Sequence, residues 1–262
     1  MAKKRKRKLR IDRIVILLVF LAAIIFILTK IVSCTVSVFR SGKDTSGSSS
    51  TDEQVFMSNQ SSSEVDTADK FTVVIDAGHG GDDAGAVDPQ GTRYEKDDVL
   101  EIALLVESEL AEYGDINVVM TRSDDTFLSL DERCAVANDI DADLFVSIHR
   151  NSADIGNGVE IWINSENNSD DKLLAQKILS KFPSESISQS RGIKEGYRDD
   201  NGNEHNYYVN SATTMPSCLV ELGFITDEND NLLFDGYKNE YAKAIADGII
   251  DAANVLELYS LS

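Results

Sequence analysis

The sequence predicts an α/β fold: a single domain over residues 71–262 with a mostly parallel or mixed twisted sheet and helices on both of its faces. Two observations lead to this prediction. Short apolar runs of strand length alternate along this segment with stretches of helical spacing, which is typical of an α/β sheet. The 42% hydrophobic content of the chain is sufficient for a buried core, and a segment of this length makes one domain.

Each element follows from a local pattern. Strands are predicted from runs rich in Val, Ile and Phe, such as FTVVID, and helices from apolar residues three or four positions apart. Ser129 and Glu132 have the spacing of a capping box that starts one helix, and Gly114 closes another. The predicted strands are 71–76, 117–121, 144–148, 159–163 and 217–222. The predicted helices lie between 97 and 114, 129 and 138, 170 and 182, and 241 and 256.

The chain before this domain has a different composition. Residues 1–13 form a basic head, and residues 14–39 are largely apolar, with Lys30 as their one charged residue. The apolar segment is long enough to span a bilayer with tilt, since a lysine can extend its charge towards the interface. The positive-inside rule keeps the basic head in the cytoplasm. We therefore expect a signal-anchor helix in the cell membrane, a cytoplasmic N-terminus and an extracytoplasmic domain.

Other interpretations of the apolar segment stay open. A cleaved signal peptide is one, although no A-x-A-like site follows the run. A lipoprotein signal at Ser33 and Cys34 is another, but Lys30 lies too close to that cysteine for the usual pattern of such a signal. A buried core helix is the third. Residues 40–70 are rich in Ser, Thr and acidic residues, which predicts a disordered linker.

Charge excludes some classes of function. Residues 1–43 hold eleven Lys and Arg against one acidic residue, whereas the rest of the chain holds 14 against 44. A domain this acidic is a poor nucleic-acid binder, because it would meet phosphate with like charge. Gly78, Gly80 and Gly81 suggest a phosphate loop, but the Lys-Ser/Thr pair and a full G-x-G-x-x-G are missing, so nucleotide binding is rejected. Three cysteines are too few for a disulfide scaffold.

Three residues point to metal chemistry. His79 and His149 follow or end predicted strands, and Glu221 lies near the end of an otherwise apolar one. Ligand sites of open α/β sheets form at the carboxyl ends of strands. Two imidazoles and a carboxylate suit Zn²⁺ with one open position, while a further carboxylate outside the ligand set would activate water. Spacing alone leaves several candidates for the third ligand: Asp76, Asp82, Asp83 and Glu95.

The sequence around these residues resembles a known family. VIDAGHGGDDAGA at 74–86 is similar to the opening motif of the zinc-dependent N-acetylmuramoyl-L-alanine amidases of the amidase-3 family. YEK at 94–96 resembles the Glu-Lys motif of that family, SIHRNS at 147–152 its second His motif, and MPSCLVELGFI at 215–225 its closing Glu motif. The chain departs from the family at Arg150, where a small residue is usual, and at Thr226–Asp227, where an Asn often stands.

The resemblance implies a set of roles. Zn²⁺ would be bound by His79, Glu95 and His149, and Glu221 would act as general base and then as general acid. The substrate would be the amide between N-acetylmuramic acid and L-alanine, and the partner peptidoglycan. Two alternatives are a catalytically silent relative that binds wall peptides and a zinc hydrolase of another amide, such as one in spore-wall remodelling. The sequence identifies no activating protein. Between residues 163 and 207 it predicts no long helix that could cover the zinc site.

The remaining chemistry-bearing side chains have structural interpretations. His205 lies in a polar loop and is expected to be exposed rather than a ligand. Trp162 lies in a predicted strand, where packing is expected. Cys134 and Cys218 lie in a predicted helix and a predicted core strand, and we expect packed thiols rather than nucleophiles.

Overall fold

The structure is a computed structural model of the 262-residue chain, and it describes residues 70–166, 169–198 and 201–259. The predicted head (1–13), signal-anchor helix (14–39) and all but the last residue of the linker (40–70) lie outside the described residues. Within those described ranges, no helix is both long and apolar enough to cross a membrane.

Six strands form one mixed sheet, in the order β2-β1-β3-β8-β4-β5, and two short strands, β6 and β7, form a separate hairpin. Neighbours in the large sheet run parallel, except that β4 is antiparallel to β8. The predicted α/β fold with a mostly parallel, mixed sheet is confirmed. The strands are β1 (Phe71–Ala77), β2 (Ile116–Met120), β3 (Leu144–Asn151), β4 (Val159–Ile163), β5 (Ser190–Glu195), β6 (Tyr197–Arg198), β7 (Glu204–His205) and β8 (Ser217–Phe224).

Helices cover both faces of the sheet, but unequally. Helices α1, α3 and α6 lie together over the larger hydrophobic core, and both α1 and α3 pack against α6. Helices α2 and α4 cover a smaller cluster on the other face. The helices are α1 (Glu95–Ala111), α2 (Leu130–Asn138), α3 (Ser169–Leu179), α4 (Tyr208–Ala212), α5 (Glu228–Gly236) and α6 (Lys238–Val255).

The face covered by α2 and α4 positions the site. Side chains two residues apart on a strand share a face, and on this face Val74, Phe145 and Leu219 belong to the smaller hydrophobic cluster. Two residues further along the same strands the side chains are polar, at Asp76, Ser147 and Glu221. Helices α2 and α4 have only 9 and 5 residues, and their cluster covers the apolar part of this sheet face. The polar part of the same face lies at the carboxyl ends of the strands.

Several elements differ from the predictions. The helix predicted to reach residue 182 ends at Leu179, while β3 and β8 extend to Asn151 and Phe224. Helices α4 and α5 and strands β5 to β7 were not predicted. Their sequences carry too few apolar residues for a periodic signal. Helix α5 starts at a local cap, in which Asp227 accepts from the Asp230 amide, and it packs against β8.

Candidate metal centre

Two histidines and one glutamate meet at the carboxyl ends of β1 and β3. His79 follows β1, Glu95 is the first residue of α1 and His149 lies in β3. One ligand atom from each lies within 4.8 Å of the others. Glu95 Oε1 is the centre of the group, 2.9 Å from His149 Nδ1 and 3.1 Å from His79 Nε2. The three residues that the resemblance named as ligands are thus brought together.

Hydrogen bonds from outside the group hold Glu95 and His79 in place. Glu95 accepts the Arg150 amide on Oε1 at 3.0 Å and the Ala86 amide on Oε2 at 2.8 Å. His79 Nδ1 lies 2.9 Å from Asp83 Oδ2, which leaves His79 Nε2 to face Glu95. A carboxylate on the far nitrogen of a metal-binding histidine fixes its tautomer and orientation. Burial raises the pKa of Glu95, but both histidines outweigh that effect and hold the pKa far below its usual range.

Two glycines leave the space that the cluster occupies. A Cβ at Gly78 would lie 2.3 Å from His149 Cε1, and one at Gly85 would lie 2.7 Å from both Glu95 Oε2 and His79 Cδ2. Gly85 also has a φ of +65°, which a residue with a Cβ rarely adopts. His79 itself has a φ of 59°, a conformation uncommon outside glycine. The opening motif therefore folds around the imidazole and carboxylate groups.

The structure separates the four candidates for the third ligand. Asp76 is fully buried, and its carboxylate accepts from Arg133 Nη1 at 2.7 Å, Thr121 Oγ1 at 2.7 Å and Ser147 Oγ at 2.6 Å. Those contacts occupy Asp76 within the fold. Asp82 is exposed, and Asp83 supports His79 from the outer side. Glu95 alone among the four belongs to the cluster.

Glu221 lies beside the cluster but outside it. It is 6% exposed, and its Cα is paired with that of His149 on the neighbouring strand. Glu221 Oε2 has no hydrogen-bond partner among the described residues. Burial raises the pKa of Glu221 well above its usual range, and the charges of Glu95 and Glu160 raise it further. A carboxyl group in this state is suited to accept and release a proton.

The donor set fits a zinc ion. Imidazole nitrogens and a carboxylate oxygen are the ligands that Zn²⁺ takes in catalytic sites, with three protein ligands and a fourth position open. The closely spaced donors, the glycine-lined space and the unpartnered oxygen of Glu221 beside it all agree with a catalytic rather than a structural site. A cavity of about 230 Å³ adjoins His79 and His149, and apolar side chains, among them Phe127, Leu130 and Val209, also line it.

Two residues next to the site, the buried Glu160 and the partly exposed Arg191, were not predicted from the sequence. Glu160 of β4 is 2% exposed and accepts from Asn151 Nδ2 at 2.7 Å, Trp162 Nε1 at 3.0 Å and Arg191 Nε at 2.6 Å. It lies between two apolar residues of a strand, the same signal that singled out Glu221. Arg191 gave no signal, because its role depends on how β5 pairs.

The remaining side chains behave largely as expected. Cys134 and Cys218 are buried free thiols, and burial raises the pKa of Cys134 to about 11, so it stays protonated at neutral pH. His205 is exposed, as expected, but it lies in β7 rather than in a loop, and its ring stacks on Tyr197. Trp162 packs edge-on against Tyr207. Arg150, the departure from the family pattern, is buried and bonds Asp98 at 2.6 Å on the far side of β3.

Comparison with known proteins gives consistent matches. The Amidase_3 family, described as N-acetylmuramoyl-L-alanine amidase, matches residues 73–251. The chain is 42% identical over 182 residues to YqiI, an uncharacterised protein of Bacillus subtilis, covering 68% of this chain and 82% of that protein. It is 37% identical over 184 residues to the N-acetylmuramoyl-L-alanine amidase LytC of Bacillus subtilis, covering 68% of this chain and 35% of LytC.

A solved structure has the same fold. The crystal structure of an N-acetylmuramoyl-L-alanine amidase from Clostridium difficile 630 superposes with a TM-score of 0.65 and 34% sequence identity. The match covers 71% of this chain and 98% of that one. The match therefore spans nearly the whole of that solved chain, whereas it spans about a third of LytC.

Proposed function

Because the chain belongs to the Amidase_3 family of N-acetylmuramoyl-L-alanine amidases, we propose that it uses zinc to hydrolyse the amide between N-acetylmuramic acid and L-alanine in peptidoglycan. The family and the related amidases make the chain an enzyme of the cell-wall hydrolase class. The observation that carries the zinc proposal is the His–Glu–His cluster beside the buried Glu221, whose Oε2 has no hydrogen-bond partner among the described residues.

His79, Glu95 and His149 would hold the metal. When bound, zinc supplies a Lewis acid that polarises the scissile carbonyl and lowers the pKa of water. The protein keeps two of the three donors in place through Asp83 on His79 and through the backbone amides of Ala86 and Arg150 on Glu95. These contacts orient the donors before any ligand arrives, which is the role of outer hydrogen bonds in metal sites.

Glu221 moves the proton in this proposal. Its Oε2 has no partner among the described residues, so it can accept a proton from the attacking water and donate it to the nitrogen of the leaving amine. Glu160 keeps its own carboxylate occupied by Asn151, Trp162 and Arg191 and does not compete for that proton. No covalent intermediate is required, and the described cysteines are buried.

The enzyme would act at the outer face of a membrane. This location rests on the sequence alone: a basic head, an apolar segment at residues 14–39 and a polar linker. A tether of this kind would raise the local concentration of the enzyme near the inner face of the wall.

Mass spectrometry of digested peptidoglycan tests the proposal. Purified sacculi are incubated with the full-length protein and Zn²⁺, with and without a chelator. We expect free stem peptides that begin with L-alanine, glycan strands that keep an unsubstituted lactyl group, and no products in the chelated sample. Cleavage within the stem peptide or glycan would replace the proposed bond with another, and wall binding without any product would support a silent relative.

A further inference from the structure

Arg191 occupies an irregular position at the edge of the sheet. Val159 of β4 pairs with Ser190 of β5, but the next residue, Glu160, pairs with Gly192. Arg191 is therefore the extra residue of a β-bulge, and Gly192 has a φ of +80° there. A bulge in a parallel pair is rare, and bulges next to active sites commonly re-aim one side chain.

The bulge turns the Arg191 side chain towards the row of carboxylates. Its Nε donates to Glu160 Oε2 at 2.6 Å, and its guanidinium lies over the Phe224 ring, 5.0 Å from the ring centroid. The Glu160 side chain is 3% exposed, whereas that of Arg191 is 34% exposed. The cation is thus anchored at one nitrogen and open to solvent at its other end.

This open end distinguishes Arg191 from the other arginines near the site. Arg93, Arg122, Arg133 and Arg150 each donate from both Nη atoms to protein groups. Arg191 uses only Nε for hydrogen bonds within the described residues. A guanidinium has five N–H groups in a planar fork that matches a carboxylate. The two Nη atoms of Arg191 are therefore available to a ligand.

The distance from the scissile bond defines which part of the substrate Arg191 can reach. Glu160 and Glu221 are directly paired on antiparallel strands, which places their Cα atoms about 5 Å apart. Arg191 bonds to Glu160, one step further from Glu221. An extended peptide advances about 3.4 Å per residue. Arg191 therefore lies beyond Glu160 as seen from Glu221, and the second residue after the scissile amide is the first that can reach it.

Charge defines what Arg191 would bind there. The buried carboxyl groups of Glu160 and Glu221 lie side by side on paired strands, so a substrate carboxylate that approaches them needs a local cation. We propose that the Nη atoms of Arg191 bind the free carboxylate of the second stem-peptide residue, so that the enzyme prefers a carboxylate over a carboxamide at that position. This inference rests on the proposed amidase function and names a feature of its substrate.

The competing interpretation is purely structural, with Arg191 serving only to neutralise Glu160. The two interpretations differ in their dependence on the substrate. A structural ion pair affects carboxylate and carboxamide substrates equally when it is removed. A substrate-binding arginine affects only the carboxylate substrate, so the ratio between the two substrates is the informative quantity.

The test uses two synthetic glycan oligomers whose stem peptides differ only in a carboxylate or a carboxamide on the second residue. Both kcat/KM for the full-length protein and NMR-titrated binding of the released peptides are measured. The variants are Arg191→Gln and Arg191→Lys, and the double variant Arg191→Gln/Glu160→Gln avoids leaving a buried carboxylate unpaired. Lys172→Gln is the matched control, since it removes one positive charge that pairs with Glu195 on the surface.

We expect the wild type and Lys172→Gln to favour the carboxylate substrate and its product peptide by about 10- to 100-fold, the range for a hydrogen bond to a charged group. Arg191→Gln and the double variant should lose the preference, and Arg191→Lys should keep part of it. A preference that is absent in the wild type, or unchanged in the folded variants, overturns the inference while amidase activity stands. Hydrolysis of neither substrate by the wild type overturns the proposed function itself.

Discussion

At the scale of single residues, the site is organised around one oxygen atom. Glu95 Oε1 lies within hydrogen-bond distance of His79, His149 and the Arg150 amide. Glu95 is 4% exposed, so a negative charge is held in a place that a cation or two imidazoles must compensate. The geometry of the three donors is therefore set by the fold.

Removal of any one donor should abolish metal binding. We expect His79→Ala, Glu95→Ala and His149→Ala to bind well below one zinc per chain and to lose activity, as measured by elemental analysis and muropeptide release. His205→Ala is the matched control, because His205 lies outside the cluster and stacks on Tyr197. Full zinc occupancy in Glu95→Ala would move the third ligand elsewhere, with Asp83 the next candidate.

The sequence predicted part of this arrangement and missed the rest for a physical reason. His79, His149 and Glu221 were found because each lies at the end of an apolar strand. Glu95 came only from the family resemblance, since four carboxylates near His79 have equal claims by spacing. Arg191 could not be found, because a bulge depends on the pairing of two strands and leaves no periodic pattern.

At the scale of elements, the loop from β1 to α1 carries most of the cluster. It places His79 and Glu95 sixteen residues apart in sequence but 3.1 Å apart in space. Gly85 permits this approach by its φ and by its missing Cβ. Strands β1 to β4 and β8 were predicted because their sequences are rich in apolar residues. Elements β5, α4 and α5 were not, because their sequences are polar and their packing is tertiary.

Gly85→Ala separates the loop's fit to the cluster from its backbone conformation. The added Cβ would meet Glu95 Oε2 and His79 at 2.7 Å, so zinc affinity should fall by about 10- to 100-fold, as for outer contacts of metal sites. Gly91→Ala has a similar φ of +72° and no atom within 4 Å of its Cβ, so it controls for strain and should keep zinc. Equal zinc affinities in the two variants, measured by competition with a chelator, would contradict this account of the loop.

The buried ion pair between Asp76 of β1 and Arg133 of α2 should make the free energy of unfolding depend on pH. Burial raises the pKa of Asp76, but Arg133, Ser147 and Thr121 outweigh it and hold the pKa below its usual range. The stability from ionised Asp76 is therefore present above about pH 4 and is lost as the pH falls through the lowered pKa.

Asp76→Asn tests this. The variant should be less stable at pH 7 by about 3–5 kcal/mol, since Arg133 is left buried without a charged partner. Its stability should also change less than that of the wild type between pH 5 and pH 2. Asp115→Asn is the control, because Asp115 forms only an exposed pair with Lys70. Urea unfolding at several pH values measures both quantities, and parallel acid curves for wild type and Asp76→Asn would refute the role of Asp76.

At the scale of the whole molecule, the chain joins a basic end to an acidic enzyme. The 44 acidic residues after residue 43 against 14 basic ones would repel anionic wall polymers and lipid headgroups, and salt screens this repulsion beyond about 8 Å. The membrane anchor and polar linker that we propose from the sequence would keep this domain close to the membrane without contact.

A reporter enzyme fused after residue 43 tests the anchor. We expect its activity outside the cell and its recovery in the membrane fraction, because residues 14–39 would span the bilayer with the basic head inside. The same fusion without residues 1–39 is the control and should remain in the cytoplasm. A soluble secreted reporter that lacks residues 1–40 would indicate signal cleavage.

The most direct test of the central claim is the zinc content and turnover of Glu221→Gln. The change keeps the shape of the side chain but removes its ability to accept a proton. We predict that the variant binds zinc as the wild type does, still binds wall fragments, and hydrolyses them about 10²–10⁴-fold more slowly, the usual contribution of general acid–base catalysis. Loss of zinc would make Glu221 a ligand, and retained zinc with near-normal turnover would contradict its role as the proton carrier.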